Sequence, residues 1–399
     1  MLVSSRSAEP AGPTGGANQQ GVRDHNERLI LSLLQRLGPH SGSDIARIAG
    51  LSPQTVSVIF RGLEQDGLLE RGAPQRGKVG KPSVPMGLAA DGVFSIGLKI
   101  GRRSADLVLT DFHGTVRAQA QTTYRYPMPS PLLRFLEAGI DDLLSELSPD
   151  QRLRVAGIGI AKPHELWNWP EAIGAPPGDL AVWQETDLAA RIAEFCPLPV
   201  FIENDATAAC RAEHVYGHGR DLGNFAYFFI GSLIGGGIVL NHSVFGGQYG
   251  NAAAFGPLPA RSGGQLLDSA SLYLLEAAME KVGINPERLW RKPVDWSGFD
   301  AQLDAWIERS AAELAYATVT VCAVIDFDTV LIDGGIPPSV RDRLVAGIRR
   351  ELDGLDLRGL VRPQILSGHI GGNARAIGAA TAPIFSQFLL NTNAIGAFS

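Results

Sequence analysis

The fold of this chain is indicated most clearly by ten residues, Val200-Phe201-Ile202-Glu203-Asn204-Asp205-Ala206-Thr207-Ala208-Ala209. Its apolar start predicts a short buried strand, and the small residues that follow predict a tightly packed helix over 206–216. Polar residues at a strand end are typical of α/β proteins, in which ligands bind beyond the carboxyl ends of the strands. Asn204 and Asp205 are therefore candidate ligand contacts, although taken alone the pattern fits helix capping better.

The rest of the body alternates between predicted strands and helices. The predicted strands lie at 93–99, 105–109, 115–120, 155–161, 224–230, 236–240 and 329–332. The predicted helices lie at 131–147, 188–195, 265–282, 298–324 and 374–390. A glycine-rich run at 231–237 offers backbone N–H groups that suit phosphate, but taken alone it fits a tight turn in a packed lobe better. The alternation predicts an α/β body of two lobes.

A different pattern precedes this body. Residues 25–37 place leucine and isoleucine on one helical face, and a short helix is predicted to open at Ser43. The next helix opens at Ser52-Pro53, a capping residue followed by proline at the first helical position. A short strand and a glycine-containing loop follow. Two short helices joined by a tight turn, with a strand–loop–strand after them, predict a winged helix-turn-helix over 23–85.

The charge of this segment differs in sign from the charge of the remainder. Residues 21–85 carry nine basic and six acidic side chains, so the segment is +3 and the rest of the −6 chain is −9. The overall acidity excludes a uniformly basic nucleic-acid coat. A basic head on an acidic body is typical of a DNA reader with a sensor domain. A small winged helix that docks a protein is the alternative.

The candidate DNA contacts follow from which helical positions must face the core. Val56, Ile59 and Phe60 must point inward, so the polar positions of the same helix are left for the major groove. We predict DNA contacts from Ser52, Gln54, Thr55, Ser57 and Arg61 on the recognition helix, and from Arg76, Lys78 and Lys81 on the wing. Glutamine suits adenine edges, and arginine suits guanine edges or phosphate.

Composition narrows the remaining possibilities. The chain has 399 residues, 45% apolar and 19% charged, which predicts a folded protein of two or three domains. Its three isolated cysteines predict neither a disulfide framework nor a cysteine-rich zinc site. Residues 1–22 predict a flexible tail without an apolar signal core. Residues 222–260 lack charged side chains but hold nine glycines, which predicts buried strands rather than a membrane span. We expect a soluble cytoplasmic protein.

Taken together, the segments resemble a known family. Six body motifs follow the winged helix, at 157–161, 202–209, 213–217, 230–239, 247–252 and 332–336. Their order resembles the ROK family (repressors, open reading frames and sugar kinases), in particular its transcriptional repressors, over residues 25–390. The resemblance implies a two-lobed, actin-like sugar-kinase body. Lobe 1 is then expected at 93–203 together with the C-terminal helix 374–390, and lobe 2 at 204–373.

Three departures from the family pattern bear on activity. The kinases carry an Asp-x-Gly-Gly-Thr phosphate turn, whereas the matching stretch here is Lys99-Ile100-Gly101-Arg102-Arg103. An element whose Glu holds sugar and whose His binds zinc is replaced by Ala253-Ala254-Phe255-Gly256-Pro257. The cysteine-rich zinc element is replaced by Arg261-Ser262-Gly263-Gly264-Gln265. Side chains at 102 and 103 obstruct close approach to a phosphate, and zinc needs its thiolates and imidazole, so we predict no phosphotransfer, no cofactor and no metal.

The sequence therefore predicts a DNA-binding transcriptional regulator, a repressor rather than an enzyme, whose degenerate kinase-like body senses a sugar or sugar derivative. Asn204 and Asp205 are the predicted effector contacts. Lys162 and His164 follow the predicted strand 155–161, where the resemblance places the sugar-lobe loop. An exposed loop is the favoured interpretation of these two residues, and hydrogen-bond donors to the effector are the alternative. The expected partners are a double-stranded operator with inverted repeats and a second copy of the chain in a homodimer or higher oligomer. The alternatives are an active ROK sugar kinase with a regulatory head, and a regulator controlled by a protein partner.

Overall fold

The computed structural model of this protein describes residues 19–74, 84–291 and 294–390. The α-helices are α1 (Gln19–Leu37), α2 (Gly42–Ala49), α3 (Pro53–Gln65), α4 (Pro129–Ser145), α5 (Pro149–Arg152), α6 (Pro170–Ile173), α7 (Val182–Glu185), α8 (Leu188–Ala193), α9 (Asp205–Tyr216), α10 (Leu267–Ala270), α11 (Leu272–Glu280), α12 (Asp300–Ile325), α13 (Pro338–Asp353) and α14 (Ala374–Phe388). The strands are β1 (Leu69–Arg71), β2 (Met86–Leu88), β3 (Phe94–Ile100), β4 (Ser104–Thr110), β5 (Val116–Thr123), β6 (Val155–Lys162), β7 (Val200–Asn204), β8 (Phe225–Ile230), β9 (Gly235–Leu240), β10 (Ser243–Val244), β11 (Thr329–Gly334) and β12 (Gln364–Ser367).

The head is the predicted winged helix-turn-helix, made of α1 to α3 and the antiparallel pair β1–β2. Helix α3 begins where the Ser52-Pro53 pair predicts, and the Ser52 hydroxyl accepts a hydrogen bond from the backbone N–H of Thr55 at 3.1 Å. Helix α2 begins slightly earlier than predicted, because Ser41 rather than Ser43 is its N-cap. Gly50 adopts a left-handed conformation (φ 66°) that ends α2 and turns the chain into α3.

The body contains two five-stranded sheets with the same topology. The first has the order β5-β4-β3-β6-β7 and the second has the order β10-β9-β8-β11-β12. Each sheet begins as an antiparallel meander of three strands and then adds two parallel strands beside its first strand. Each sheet also has its own apolar core, the first packed against α4 and the second against α10 to α13. The α/β, two-lobed class predicted from the sequence is confirmed.

Helices α9 and α14 lie between the sheets and pack against each other with almost no side chain in between. A Cβ atom on Gly378 of α14 would lie 1.7 Å from the Ala208 carbonyl oxygen of α9. A Cβ atom on Gly159 of β6 would lie 1.7 Å from the Ala379 carbonyl oxygen of α14. Real Cβ contacts are never that short, so only glycine allows these backbones to approach. The small residues at 206–209 therefore allow α9 and α14 to pack closely against each other.

Two predictions of local structure are wrong. The helix predicted over 265–282 is broken into α10 and α11, because Ser271 is extended and its hydroxyl accepts a hydrogen bond from the Ile234 N–H at 2.9 Å. Helix α13 and strand β12 follow the predicted strand 329–332, in a region for which no helix or strand is predicted. The uncharged run 222–260 forms β8 to β10 and their loops, and none of the helices formed by the described residues is long and apolar enough to cross a membrane.

Candidate functional site

The exposed face of α3 carries the predicted DNA contacts. Gln54, Ser57 and Arg61 are exposed, whereas Thr55 is half-buried with its hydroxyl 2.8 Å from that of Ser52. One apolar side chain interrupts this polar face. Val58 lies between Gln54 and Arg61 and is 57% exposed. An exposed valine on a recognition helix suits the methyl group of thymine. The predicted wing contacts Arg76, Lys78 and Lys81 lie outside the described residues.

A cavity of about 220 Å³ lies between the two sheets of the body. Its lining comes from the loop after β6, the junction of β7 and α9, the glycine-rich turn before β9, and the segment 251–257. Asn204 and Asp205 line it, together with the indole of Trp169. The volume is below the range of about 300–1,000 Å³ that is common for drug-sized ligands, so the cavity suits a molecule the size of a monosaccharide.

Asn204 and Asp205 have different roles at this junction. The Asn204 side-chain oxygen accepts hydrogen bonds from the N–H groups of Ala206 and Thr207 at 2.9 and 3.2 Å, so it caps α9. The Asp205 carboxylate accepts a hydrogen bond from Arg375 Nη1 at 3.0 Å, and both side chains are largely buried. Asp205 is therefore an ion-paired carboxylate at the cavity wall, which disfavours its action as a free general base.

Arg375 was not predicted as a site residue. It lies in the first turn of α14, its guanidinium carbon is 4.8 Å from the centroid of the Phe229 ring, and it lines the cavity. The only signal for it in the sequence is a lone arginine at the start of a helix rich in alanine and glycine. His164 lies in the loop after β6 and lines the cavity, whereas Lys162 is the last residue of β6, contrary to the expected loop position, and is absent from the lining.

The turn that matches the kinase phosphate turn is closed by its own bonds. The N–H of Gly101 donates to the Ser104 carbonyl oxygen at 2.9 Å, which makes a tight hairpin. Lys99 Nζ donates to the Asp106 carboxylate at 2.7 Å and to the Ser104 hydroxyl at 2.8 Å, and burial lowers the pKa of Lys99 to about 8. The residues present therefore do not fit a nucleotide phosphate.

Arg102, in the same turn, crosses from the first sheet to the second lobe. Its Nη1 lies 2.5 Å from Oε2 of Glu276 on α11, and the two side chains are only 10% and 5% exposed. The other carboxylate oxygen of Glu276 accepts a hydrogen bond from the Trp290 indole at 2.7 Å. We call the contact between Arg102 and Glu276 the interlobe clasp.

The segment that matches the zinc element of the family also has different chemistry. The backbone N–H groups of Arg261 and Ser262 donate to the two carboxylate oxygens of Glu313 at 2.7 and 3.0 Å, so one buried carboxylate holds this loop. Phe255 packs against Phe228, with ring centroids 4.6 Å apart. Across the described ranges no group of three or more His, Cys, Asp or Glu side chains is placed to hold a metal ion. These residues do not fit zinc.

Comparison with known proteins agrees with this architecture. Residues 95–270 match the ROK family, and residues 25–75 match the MarR family. The chain is a transcriptional regulator with a ROK family domain and a MarR-type DNA-binding domain. The regulator is 26% identical to the uncharacterized protein y4fQ of Sinorhizobium fredii over 93% of each chain. It is 25% identical to the xylose repressor of Bacillus subtilis, over 60% of this chain and 62% of that one.

The fold of the regulator is also seen in solved structures. The crystal structure of a ROK family transcriptional regulator, a homologue of the Mlc protein of Escherichia coli, superposes with a TM-score of 0.65 and 21% identity. That match covers 94% of the regulator and 99% of the other chain. At this level of identity the likeness establishes the fold alone, and it includes both the winged helix and the two-lobed body.

Proposed function

We propose that the regulator is a repressor whose head binds an operator and whose body binds a sugar or sugar derivative in the cavity between the lobes. The observation that carries this proposal is the cavity itself, which keeps the ligand position of an α/β body while the neighbouring phosphate turn is closed. The Asp205 carboxylate can accept sugar hydroxyls, and an indole such as that of Trp169 can stack on a sugar ring. The similarity to a xylose repressor supports a sugar as effector.

Isothermal calorimetry of the full chain against a panel of neutral monosaccharides that includes D-xylose tests the effector. We expect one class of sugar to bind, and Asp205→Asn to weaken that binding. We also expect Asp205→Asn to leave operator affinity unchanged in the absence of sugar, because the head is untouched. Absence of binding to every sugar in the panel would contradict the sugar-sensing function.

The proposed operator contacts are those of the recognition helix and the wing. Gln54, Ser57 and Arg61 are on the exposed face of α3, and a symmetric pair of heads would read an inverted repeat. Selection of bound duplexes from a random library, followed by footprinting and sedimentation of the complex, tests this proposal. A single asymmetric half-site bound by a monomer would overturn the dimer.

We also propose that the regulator transfers no phosphate. The hairpin at Gly101 and the interlobe clasp oppose a nucleotide, and the ion pair of Asp205 with Arg375 opposes general-base action. An assay of ADP release with ATP, magnesium and each sugar of the panel tests the kinase alternative. Sugar-dependent ADP release that disappears in Asp205→Ala would establish the kinase instead.

We propose the same domain limits that the sequence predicts. The head covers 23–85, lobe 1 covers 93–203 together with 374–390, and lobe 2 covers 204–373.

A further inference from the structure

Helix α14 joins the cavity to the head. Its first turn carries Arg375, which lines the cavity. Its last turns pack against the apolar core of the head, where Ile384 and Leu389 share one cluster with residues of α1 and α3. A 15-residue helix is about 22 Å long, so α14 spans the distance between the two sites as one element.

At the cavity end, Arg375 holds three elements together. It belongs to α14, its Nη1 bonds Asp205 at the start of α9, and its guanidinium lies over Phe229 of β8 in the second lobe. Its Nε is buried and has no hydrogen-bond partner in the described part of the chain. Arg375 bonds one oxygen of the Asp205 carboxylate, Oδ2, so a ligand that bonds this oxygen competes directly with Arg375. A ligand bonded to Oδ2 therefore changes the partners of Arg375.

At the head end, α14 and its following residues bond directly to α1. Arg28 of α1 donates to the carbonyl oxygens of Leu389 and Phe385, each at 3.1 Å. The N–H of Leu390 donates to the Ser32 hydroxyl at 2.8 Å. Because α1 packs on the recognition helix within one apolar core, a shift at the end of α14 displaces the DNA-binding face.

Between its two ends α14 has little freedom to deform independently. The contacts at Gly378 and Gly159 bring its backbone against α9 and β6 without intervening side chains. Packed interiors of this density transmit displacement rather than absorb it. Pro383 lies inside the helix and leaves the Ala379 carbonyl without its usual helical donor, but α14 continues through it to Phe388.

We propose that Arg375 is the effector-site residue that passes occupancy of the cavity to the DNA-binding head through α14. This inference rests on the proposed sugar-sensing function. Hydroxyl groups of the effector take over the Asp205 carboxylate, Arg375 turns from Asp205 to the ligand, and α14 moves with it relative to α9. The ligand thereby favours the arrangement in which Arg28 and α1 keep the head in an orientation that does not fit the operator.

The test measures coupling, defined as the ratio of operator dissociation constants with and without saturating sugar. The sugar is the member of the monosaccharide panel that weakens operator binding by the wild-type chain. Coupling between two sites in proteins is commonly about 5–150-fold. We expect Arg375→Gln to reduce the ratio below about twofold while operator affinity without sugar is retained, and Arg375→Lys to keep part of the ratio because the charge remains.

Arg341→Gln is the matched control. Arg341 is as buried as Arg375 and pairs with Asp333 at 2.8 Å, but it lies on α13 and does not line the cavity. We expect this variant to lower thermal stability and to keep the coupling ratio. If Arg341→Gln and Arg375→Gln lose coupling equally, the effect is loss of folding stability and the proposal is wrong.

A second variant tests the contact between α14 and the head. Arg28→Gln removes the bonds from α1 to the end of α14, far from the cavity. We expect it to reduce coupling while sugar affinity of the DNA-free protein stays unchanged. Full coupling in Arg28→Gln, or undiminished coupling in Arg375→Gln, refutes transmission through α14 and leaves the sensing function intact. If no sugar alters operator binding by the wild-type chain, the sensing function fails and the inference falls with it.

Discussion

Removal of one partner of the interlobe clasp should loosen the two lobes. In Glu276→Gln the carboxylate that faces Arg102 at 2.5 Å loses its charge, while the amide oxygen can still accept from the Trp290 indole. Breaking a buried ion pair by removal of one partner costs about 3–5 kcal/mol. Since one hydrogen-bond acceptor survives in the amide, we expect a loss near the lower end, about 3 kcal/mol of the free energy of unfolding.

The assay combines denaturant unfolding with amide hydrogen exchange. Because Arg102 lies in the β3–β4 hairpin and Glu276 in α11, we expect faster exchange at both places and little change in the head. Glu280→Gln, an exposed glutamate on the same helix, is the matched control and should stay within about 0.5 kcal/mol of wild type.

A double-mutant cycle sharpens the test. Replacement of both Arg102 and Glu276 by methionine removes both charges at once, and buried ion pairs replaced by apolar residues are often neutral in stability. The double variant should therefore lose less stability than the summed losses of the single variants Arg102→Met and Glu276→Met. Additive losses, or a Glu276→Gln protein as stable as the Glu280→Gln control, would show that the clasp does not hold the lobes together.

Four further predictions concern the head, one lysine, one glycine and the metal content. Val58→Ala should weaken preference for thymine at one operator position by about 1 kcal/mol, measured by competition between matched duplexes, and an unchanged preference would place that side chain away from the groove. Burial lowers the pKa of Lys99 from 10.5 to about 8, so the unfolded chain binds more protons between these pH values. Stability of the wild type relative to Lys99→Met should therefore rise with pH across that window, and parallel stability curves would contradict the shift. Gly378→Val should unfold at a lower temperature by calorimetry, because its side chain would collide with the Ala208 carbonyl. Elemental analysis after dialysis should find far less than one zinc per chain, and a stoichiometric amount would refute the absence of a metal site.

Much of the local structure was predictable because its causes are local. The Ser52-Pro53 pair predicts the start of α3, because serine caps the helix and proline presets the backbone angle of its first residue. An apolar run next to small residues likewise predicts strand β7 and, after it, helix α9. Helix α13 also has a local cause, because its buried residues Val340, Leu344 and Ile348 are spaced by four residues. Strand β12 has only four residues, too few to establish a period.

The same distinction between local and long-range causes applies to the residues of the site. The order of residues along the chain is enough to place Asn204 and Asp205 at a strand end and to show that the phosphate turn and the zinc ligands are replaced. The folded chain, in contrast, pairs Asp205 with Arg375, 170 residues away, and Arg102 with Glu276, 174 residues away. No local pattern encodes such pairs, because the partner of a buried charge is set by which loops and helices the two packed sheets bring together.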